Sequence, residues 1–139
     1  GTVAKLSFNI IDNDHTVIEN EKFIHLEVNH GNNFFANGYR IDDFSYISDC
    51  SFISQKTMNK MKGSKIIVLD ALRRNGKHKS HFTLEEAIET IIELNPNHAY
   101  FTDICHDIEH NETNKYLAEI SKKTNINMQL AYDGLKIKI

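Results

Sequence analysis

Five residues whose side chains bind metal ions lie at or just after the ends of predicted β-strands. They are His30, Asp49, His81, Asp103 and His106. Imidazole nitrogens together with carboxylate oxygens suit Zn²⁺, Mn²⁺ or Fe²⁺. An aspartate that bridges two metals lets them share one activated water near neutral pH, and a histidine free of metal can protonate a leaving alkoxide. If these strand ends lie at one edge of a sheet, the sequence predicts a metal site there.

Each candidate also has a simpler structural interpretation. His30 precedes a glycine and could be only a turn residue, and Asp49 could be only a helix cap. Asp70 lies inside an apolar run, where it could orient a ligand or accept hydrogen bonds from the backbone. These alternatives stay open at the level of sequence.

A polar loop at 73–81 carries a concentration of basic side chains. Such a loop attracts phosphate or is merely solvated, and the sequence leaves both possibilities open. The basic residues are Arg73, Arg74, Lys77 and Lys79.

The first third of the chain is predicted to be β-rich and partly antiparallel. Apolar and polar residues alternate over 1–10 and again over 22–29, which indicates half-buried strands, and the second of these delivers His30. Two further β-rich runs, 38–41 and 44–48, flank Asp42-Asp43 and predict a tight hairpin. The hairpin delivers Asp49.

From residue 54 onward helices alternate with strands. Ser54 can cap a helix that ends near Gly63, and Thr83 with Glu86 forms a capping box for a helix that ends at Leu94. The other predicted elements are strands at 65–71, 99–102 and 128–131, a helix starting at 111 or 113 and ending near 123, a turn at 132–134 and a closing strand at 135–139. The whole indicates a layered α/β unit.

Composition describes an ordinary globular unit over residues 1–139. Of its residues 40% are apolar and 25% are charged, and the net charge of −3 gives no general surface for polyanions. No apolar run is long enough to span a bilayer, and no charged-then-apolar leader opens the sequence. Cys50 and Cys105 have no disulfide-rich or catalytic spacing, so we expect small buried residues in a reduced, cytoplasmic protein.

Several short segments, taken in order, match a known family. They are 28–31 (VNHG), 38–41 (GYRI), 44–49 (FSYISD), 68–73 (VLDALR), 80–87 (SHFTLEEA), 100–102 (YFT), 106–107 (HD) and 131–135 (AYDGL). Through them nearly the whole chain resembles the C-terminal half of a metallo-β-lactamase-fold hydrolase. It is most similar to the phosphodiesterase branch that includes the phosphonate-pathway cyclic phosphodiesterase and is related to ribonuclease Z.

The resemblance implies a fold, a reaction and roles for individual residues. The fold would be half of an αββα sandwich, and the reaction would be hydrolysis of a phosphodiester, in a small molecule or at an RNA end, by metal-activated water. His30 would bind the first of two divalent metals, Zn²⁺ or Mn²⁺, and Asp49 would bridge both. His81 would act as general acid or bind the substrate phosphate. Asp103 stands where the family has a histidine ligand, so Asp103 or His106 would serve the second metal.

The chain also departs from the family. The His-x-His-x-Asp-His cluster that the family carries in its first half is absent from this sequence. The resemblance therefore implies a missing N-terminal half, a second chain or a homodimer that covers an otherwise exposed apolar sheet face. A non-catalytic binding module of the same fold is the alternative. A doubly wound nucleotide-binding domain is disfavoured, because the sequence has no glycine-rich phosphate loop.

Overall fold

The computed structural model describes residues 4–8, 11 and 14–139. Within these residues the chain forms one seven-stranded sheet and three helices, and the strands lie in the sheet in their order along the chain. The strands are β1 His15–Ile18, β2 Glu21–Asn29, β3 Phe35–Ile41, β4 Phe44–Ile47, β5 Ile66–Asp70, β6 His98–Thr102 and β7 Asn127–Leu130. The helices are α1 Gln55–Met61, α2 Leu84–Leu94 and α3 His110–Thr124.

The sheet is antiparallel at its start and parallel from β4 onward. Tight turns join β1 to β2 and β3 to β4: Glu19 and Asn20 have φ values of 51° and 71°, and Asp42 has a φ of 46°. Each parallel pair needs a crossover, which α1, α2 and α3 supply in turn. The predicted hairpin and the predicted β-α alternation are both confirmed.

The three helices pack on one face of the sheet. Alternate residues of the strands, including Leu26, Ile47, Leu69 and Phe101, form a single buried cluster with helix residues such as Leu117. Helix α2 begins with the predicted capping box: Thr83 accepts from the Glu86 amide while the Glu86 carboxylate accepts from the Thr83 amide. These contacts fix the loops that leave the strands.

The opposite face of the sheet carries a row of large side chains. Cross-strand neighbours place Tyr39 beside Tyr46, Tyr46 beside Val68, Val68 beside Tyr100 and Tyr100 beside Gln129. Residues that pair across a ladder point to the same face, so this row lies opposite the helices. Tyr46 is 42% exposed.

Two predicted strands are wrong. Residues 135–139 form no strand after the turn at Asp133-Gly134, and residues 4–8 form none and are exposed, while the rest of 1–10 lies outside the described residues. Alternating polarity is a local pattern, whereas a strand needs a neighbour to pair with, and no ladder among the described residues includes these segments. The first strand is instead β1, which pairs with β2. No helix in the described part of the chain is long and apolar enough to cross a membrane.

Candidate metal centre

The side chains that could bind metal or transfer a proton lie at one edge of the sheet. Strands β4, β5 and β6 are parallel, so their carboxyl ends meet at that edge and carry Asp49, Asp70 and Asp103. Strand β2 runs in the same direction as β4, because each is antiparallel to β3. Its end therefore delivers His30 to the same edge.

Two hydrogen bonds from backbone amides connect the end of β2 to the segment that follows β4. The Ser51 amide donates to the Asn29 carbonyl at 2.7 Å, and the Gly31 amide donates to Ser51 Oγ at 3.0 Å. Asp49 turns the chain sharply with a φ of 51°, a left-handed conformation that aspartate tolerates better than most residues. His30 and Asp49 are thereby held close together.

The loop between β5 and α2 is closed at its base. The Leu72 amide donates to the Phe82 carbonyl at 3.0 Å, and the Leu84 amide donates to the Arg73 carbonyl at 2.8 Å. This closure returns His81 to the end of β5, where its Nδ1 lies 2.6 Å from Asp70 Oδ2. A residue eleven positions away in sequence thus becomes the direct partner of Asp70.

Potential ligand atoms converge in two overlapping groups. One atom each from His30, Asp49 and His81 lie within 4.8 Å of one another, and so do one atom each from Asp70, His81 and Asp103. The Asp49 amide also donates to Asp103 Oδ2 at 3.3 Å, which links the two groups. Two imidazoles among several carboxylates form a donor set that suits a divalent metal.

The hydrogen bonds of the two imidazoles leave the same nitrogen available on each ring. His30 Nδ1 lies 2.9 Å from the Ser80 carbonyl, which can only accept, so Nδ1 carries the proton and Nε2 has a free lone pair. His81 Nδ1 faces the Asp70 carboxylate in the same way. Orienting a histidine through a carbonyl or carboxylate is typical of metal ligands and proton donors. The residues present therefore fit a divalent cation.

Asp70 is a buried carboxyl with an unusual pKa. Its side chain is 0% exposed, and this burial raises its pKa to about 6, although the Cys50 amide and His81 both act in the opposite direction. The Cys50 amide donates to Asp70 Oδ2 at 2.7 Å, and Oδ1 has no hydrogen-bond partner among the described residues. Asp70 thus both accepts from the backbone and orients His81, which combines the two roles that the sequence left open.

Residues 3–104 match the family model of the beta-lactamase superfamily domain. The chain belongs to this family. It is also similar to the crystal structure of a new diphosphatase from the PhnP family, with 35% identity and a TM-score of 0.83 over 93% of this chain. Family membership and the α/β fold that the resemblance implied are both confirmed.

Two more distant similarities carry less information about function. The metallo-β-lactamase-fold protein YhfI from Bacillus subtilis is 16% identical, with a TM-score of 0.70 over 87% of this chain, and shows the fold alone. An octanoyltransferase of Porphyromonas gingivalis is 26% identical over 69 residues, half of this chain. The chain spans 14% of that curated relative, 47% of the diphosphatase and 50% of YhfI.

The structure does not bring every predicted site residue into the two groups of potential ligands. His30, Asp49, His81 and Asp103 converge, whereas the side chain of His106 is 94% exposed and lies 3.3 Å from Asp107. His106 belongs to neither group of converging ligands in the described chain, because the loop after β6 turns it outward.

Two residues outside the five predicted candidates also lie at this edge, and of these the sequence raised only Asp70, as a possible orienting partner. Asp70 ends a buried strand, a position that signals a partner for a neighbouring site residue. The ring centroid of His78 lies 5.2 Å from that of His81. Burial lowers the pKa of His78, with smaller contributions from the positive charge of Arg73 and from His81 and His30. Nothing in the local sequence distinguishes His78 from a surface histidine.

Gly31→Ala is expected to impair the site by straining the backbone after His30 and by crowding Ser80, the residue whose carbonyl orients His30. Gly31 has a φ of 87°, and a Cβ there would lie 2.9 Å from Ser80 Oγ. We expect a loss of about 10- to 100-fold in metal affinity, the usual effect of disturbing a partner of a metal ligand. Isothermal titration with Mn²⁺ measures it.

Gly63→Ala is the matched control. Gly63 has a φ of 85°, so the backbone strain is similar, but the Cβ would meet only the end of Arg40 at 3.8 Å. A Gly31→Ala variant that binds metal as well as Gly63→Ala does would show that the Gly31–Ser80 contact is unimportant for His30.

Proposed function

We propose that this chain is part of a metal-dependent hydrolase of phosphodiester bonds. The observation that carries the proposal is the convergence of His30, Asp49 and His81, with both imidazoles presenting Nε2. A fold alone does not specify a reaction, but this donor set in a hydrolase family supports one.

In this proposal His30, Asp49 and Asp103 hold the divalent metals, two in the complete site. A bound cation would supply Lewis acidity and lower the pKa of water enough to provide a nucleophile near neutral pH. Asp103 would supply a carboxylate where the family pattern has an imidazole, and a carboxylate is a donor that suits Mn²⁺. Asp49 would serve both groups of ligands, since its side chain belongs to the first group and its amide contacts Asp103.

His81 is the proposed general acid. Its Nδ1 is engaged by Asp70, so Nε2 is the atom that would deliver a proton to the leaving oxygen. Asp70 fixes the orientation of the His81 ring through this contact. The side chain of His81 is 17% exposed, which leaves it accessible to a substrate.

The similarity to a PhnP-family diphosphatase supports a substrate that carries phosphate. That protein shares 35% identity with this chain, and the matched region covers 93% of this chain. We propose a phosphodiester in a small molecule or at an RNA end.

The row of large side chains on the sheet face opposite the helices is the proposed surface for the rest of the enzyme. It presents Tyr39, Tyr46 and Tyr100 beside Val68. Because this chain spans 47% of the diphosphatase, the occupant we propose is a complementary half that carries the His-x-His-x-Asp-His cluster, on the same chain or a separate one, rather than a second identical copy.

The proposal is tested by hydrolysis of bis(p-nitrophenyl) phosphate by the assembled enzyme with Mn²⁺ or Zn²⁺. Metal-dependent turnover is expected. The second candidate, a non-catalytic binding module of the same fold, is motivated by Asp103 in place of a histidine. Elemental analysis that finds no stoichiometric metal in the protein, with or without the complementary half, would favour that candidate.

A further inference from the structure

The sequence contains two Asn-Gly pairs, and they lie in very different surroundings. Asn37-Gly38 belongs to β3, whereas Asn75-Gly76 belongs to the loop between β5 and α2. In such a pair the backbone nitrogen of the glycine can attack the side-chain amide of the asparagine, because glycine has no side chain to hinder the approach. The attack requires the backbone to rotate between the two residues, so the reactivity of each pair depends on how firmly its backbone is held.

The sheet holds the backbone of Asn37-Gly38. Gly38 is buried and lies opposite Leu26 in the ladder between β2 and β3. A Cβ at Gly38 would lie 2.5 Å from Ile47 Cγ1 and 2.6 Å from the Tyr46 carbonyl oxygen, so β4 also crowds this backbone. Rotation here would break the ladder and push against β4. Asn37 is therefore protected for as long as the sheet stays folded.

The tip of the loop between β5 and α2 leaves Asn75-Gly76 free to rotate. Both residues are exposed, and Gly76 has a φ of 77°, with no atom beyond its chain neighbours within 4 Å of the place where a Cβ would lie. The hydrogen bond from Leu72 to Phe82 closes the loop at its base. In the described part of the chain the Gly76 amide donates to no backbone carbonyl, so its nitrogen is available.

Positive charge around the second pair favours the attack. Arg74 and Lys77 flank Asn75-Gly76 directly in the sequence. Their carboxylate partners, Glu85 and Glu86, each lie 3.5 Å away at partly exposed positions, where such pairs neutralise charge only weakly. A nearby cation stabilises the negative charge that the attacking nitrogen acquires as it loses its proton.

We propose that Asn75 is a modification site, at which the folded protein deamidates through a cyclic succinimide. The Gly76 nitrogen forms a bond to Cγ of Asn75, the bond between Cγ and Nδ2 breaks, and Nδ2 leaves as ammonia with the proton from the Gly76 amide. Water then opens the ring. Cleavage between the nitrogen and Cγ gives aspartate, whereas cleavage between the nitrogen and the backbone carbonyl carbon gives isoaspartate, in which the main chain runs through the side chain. Either product places a carboxylate in a loop that otherwise carries basic side chains. This chemistry needs no metal and is independent of the proposed hydrolase activity.

Peptide mass spectrometry of the full chain, incubated in mildly alkaline buffer, compares the two pairs within the same folded molecule. We expect Asn75 to convert at least about tenfold faster than Asn37, because the sheet must open locally before Asn37 can react. In guanidinium chloride the two rates should be similar, since a glycine follows each asparagine. A ratio of rates in the folded protein no larger than the ratio in the unfolded chain overturns the proposal, and so does an Asn75 that stays unchanged in the folded protein.

Variants assign the change in charge to residue 75. Ion-exchange chromatography of the incubated protein should show a more acidic form, and Asn75→Asp, which is ionised at neutral pH, marks where that form elutes. Asn75→Gln should not produce it, because glutamine would have to close a larger and less favourable ring. Asn37→Gln is the matched control and should produce it as fast as the unmodified protein does. An acidic form that appears in Asn75→Gln at the unmodified rate places the reaction elsewhere and contradicts the proposal.

Discussion

Asp49→Asn is expected to lower kcat/KM on bis(p-nitrophenyl) phosphate by at least about 10³-fold, equivalent to about 4 kcal/mol of transition-state stabilisation. Asparagine keeps the left-handed backbone, with its φ of 51°, but removes the negative charge that would bind both metals. His30→Ala should have a similar effect, because it deletes the free Nε2 at the end of β2. Steady-state kinetics with saturating Mn²⁺ measure both losses.

Asp42→Asn is the control for this substitution. Asp42 also has a positive φ, 46°, but it lies in the hairpin turn at the other end of β4. Its replacement should leave kcat/KM within about twofold of the unmodified value, as is usual for a surface change away from a site. Turnover by Asp49→Asn equal to that of Asp42→Asn would exclude Asp49 from the reaction.

His81→Ala should slow the reaction in a way that depends on the leaving group. We expect kcat to fall by about 10²- to 10⁴-fold for a dinucleotide, whose alkoxide needs a proton, and by less than about tenfold for bis(p-nitrophenyl) phosphate. The 4-nitrophenolate leaving group departs without protonation. Metal content should stay unchanged. Equal losses on both substrates together with lost metal would instead identify His81 as a third ligand of the first group.

Asp70→Asn should produce a smaller form of the same defect. It removes the charge that orients and stabilises the His81 ring, and partners of this kind usually contribute about 10- to 100-fold. A loss confined to the alkoxide substrate is expected. An unchanged rate on the dinucleotide would mean that His81 needs no orienting carboxylate.

The pH dependence of stability provides an independent readout for Asp70. Because burial raises its folded pKa from 3.8 to about 6, the folded metal-free protein holds more protons than the unfolded chain between these values. The unfolding free energy contributed by this group is therefore present below about pH 4 and is lost as pH rises through about 6, a change of about 3 kcal/mol. When urea unfolding is measured at several pH values, the unfolding free energy of Asp70→Asn should not show the fall seen in the unmodified protein.

Local patterns were sufficient to predict most elements and part of the site. The capping box at Thr83 and Glu86 predicted α2, and the apolar run around Asp70 predicted β5. His30, Asp49 and Asp103 were chosen as candidates because each follows a recognisable strand. The alternating pattern at 135–139 predicted a strand that does not form, because such a pattern does not reveal whether a neighbouring strand is available.

The contacts within the site depend on features that local patterns do not contain. The pairing of Asp70 with His81 results from the closure of a loop by hydrogen bonds between Leu72 and Phe82, which only the folded chain shows. The outward direction of His106 is likewise set by the turn after β6. Convergence of ligands required the order and direction of the strands, which a single sequence constrains but does not determine.

The most direct test of the central claim is the metal content of the protein. Elemental analysis after dialysis against Mn²⁺ or Zn²⁺ should find stoichiometric metal in the unmodified protein. A control with His98→Ala and Asp42→Asn should contain the same amount, because these residues lie at or before the starts of β6 and β4, away from the candidate site. The double variant His30→Ala with Asp49→Asn should contain none. Equal metal in that variant and in the control would contradict the account, because the cation would then be bound elsewhere.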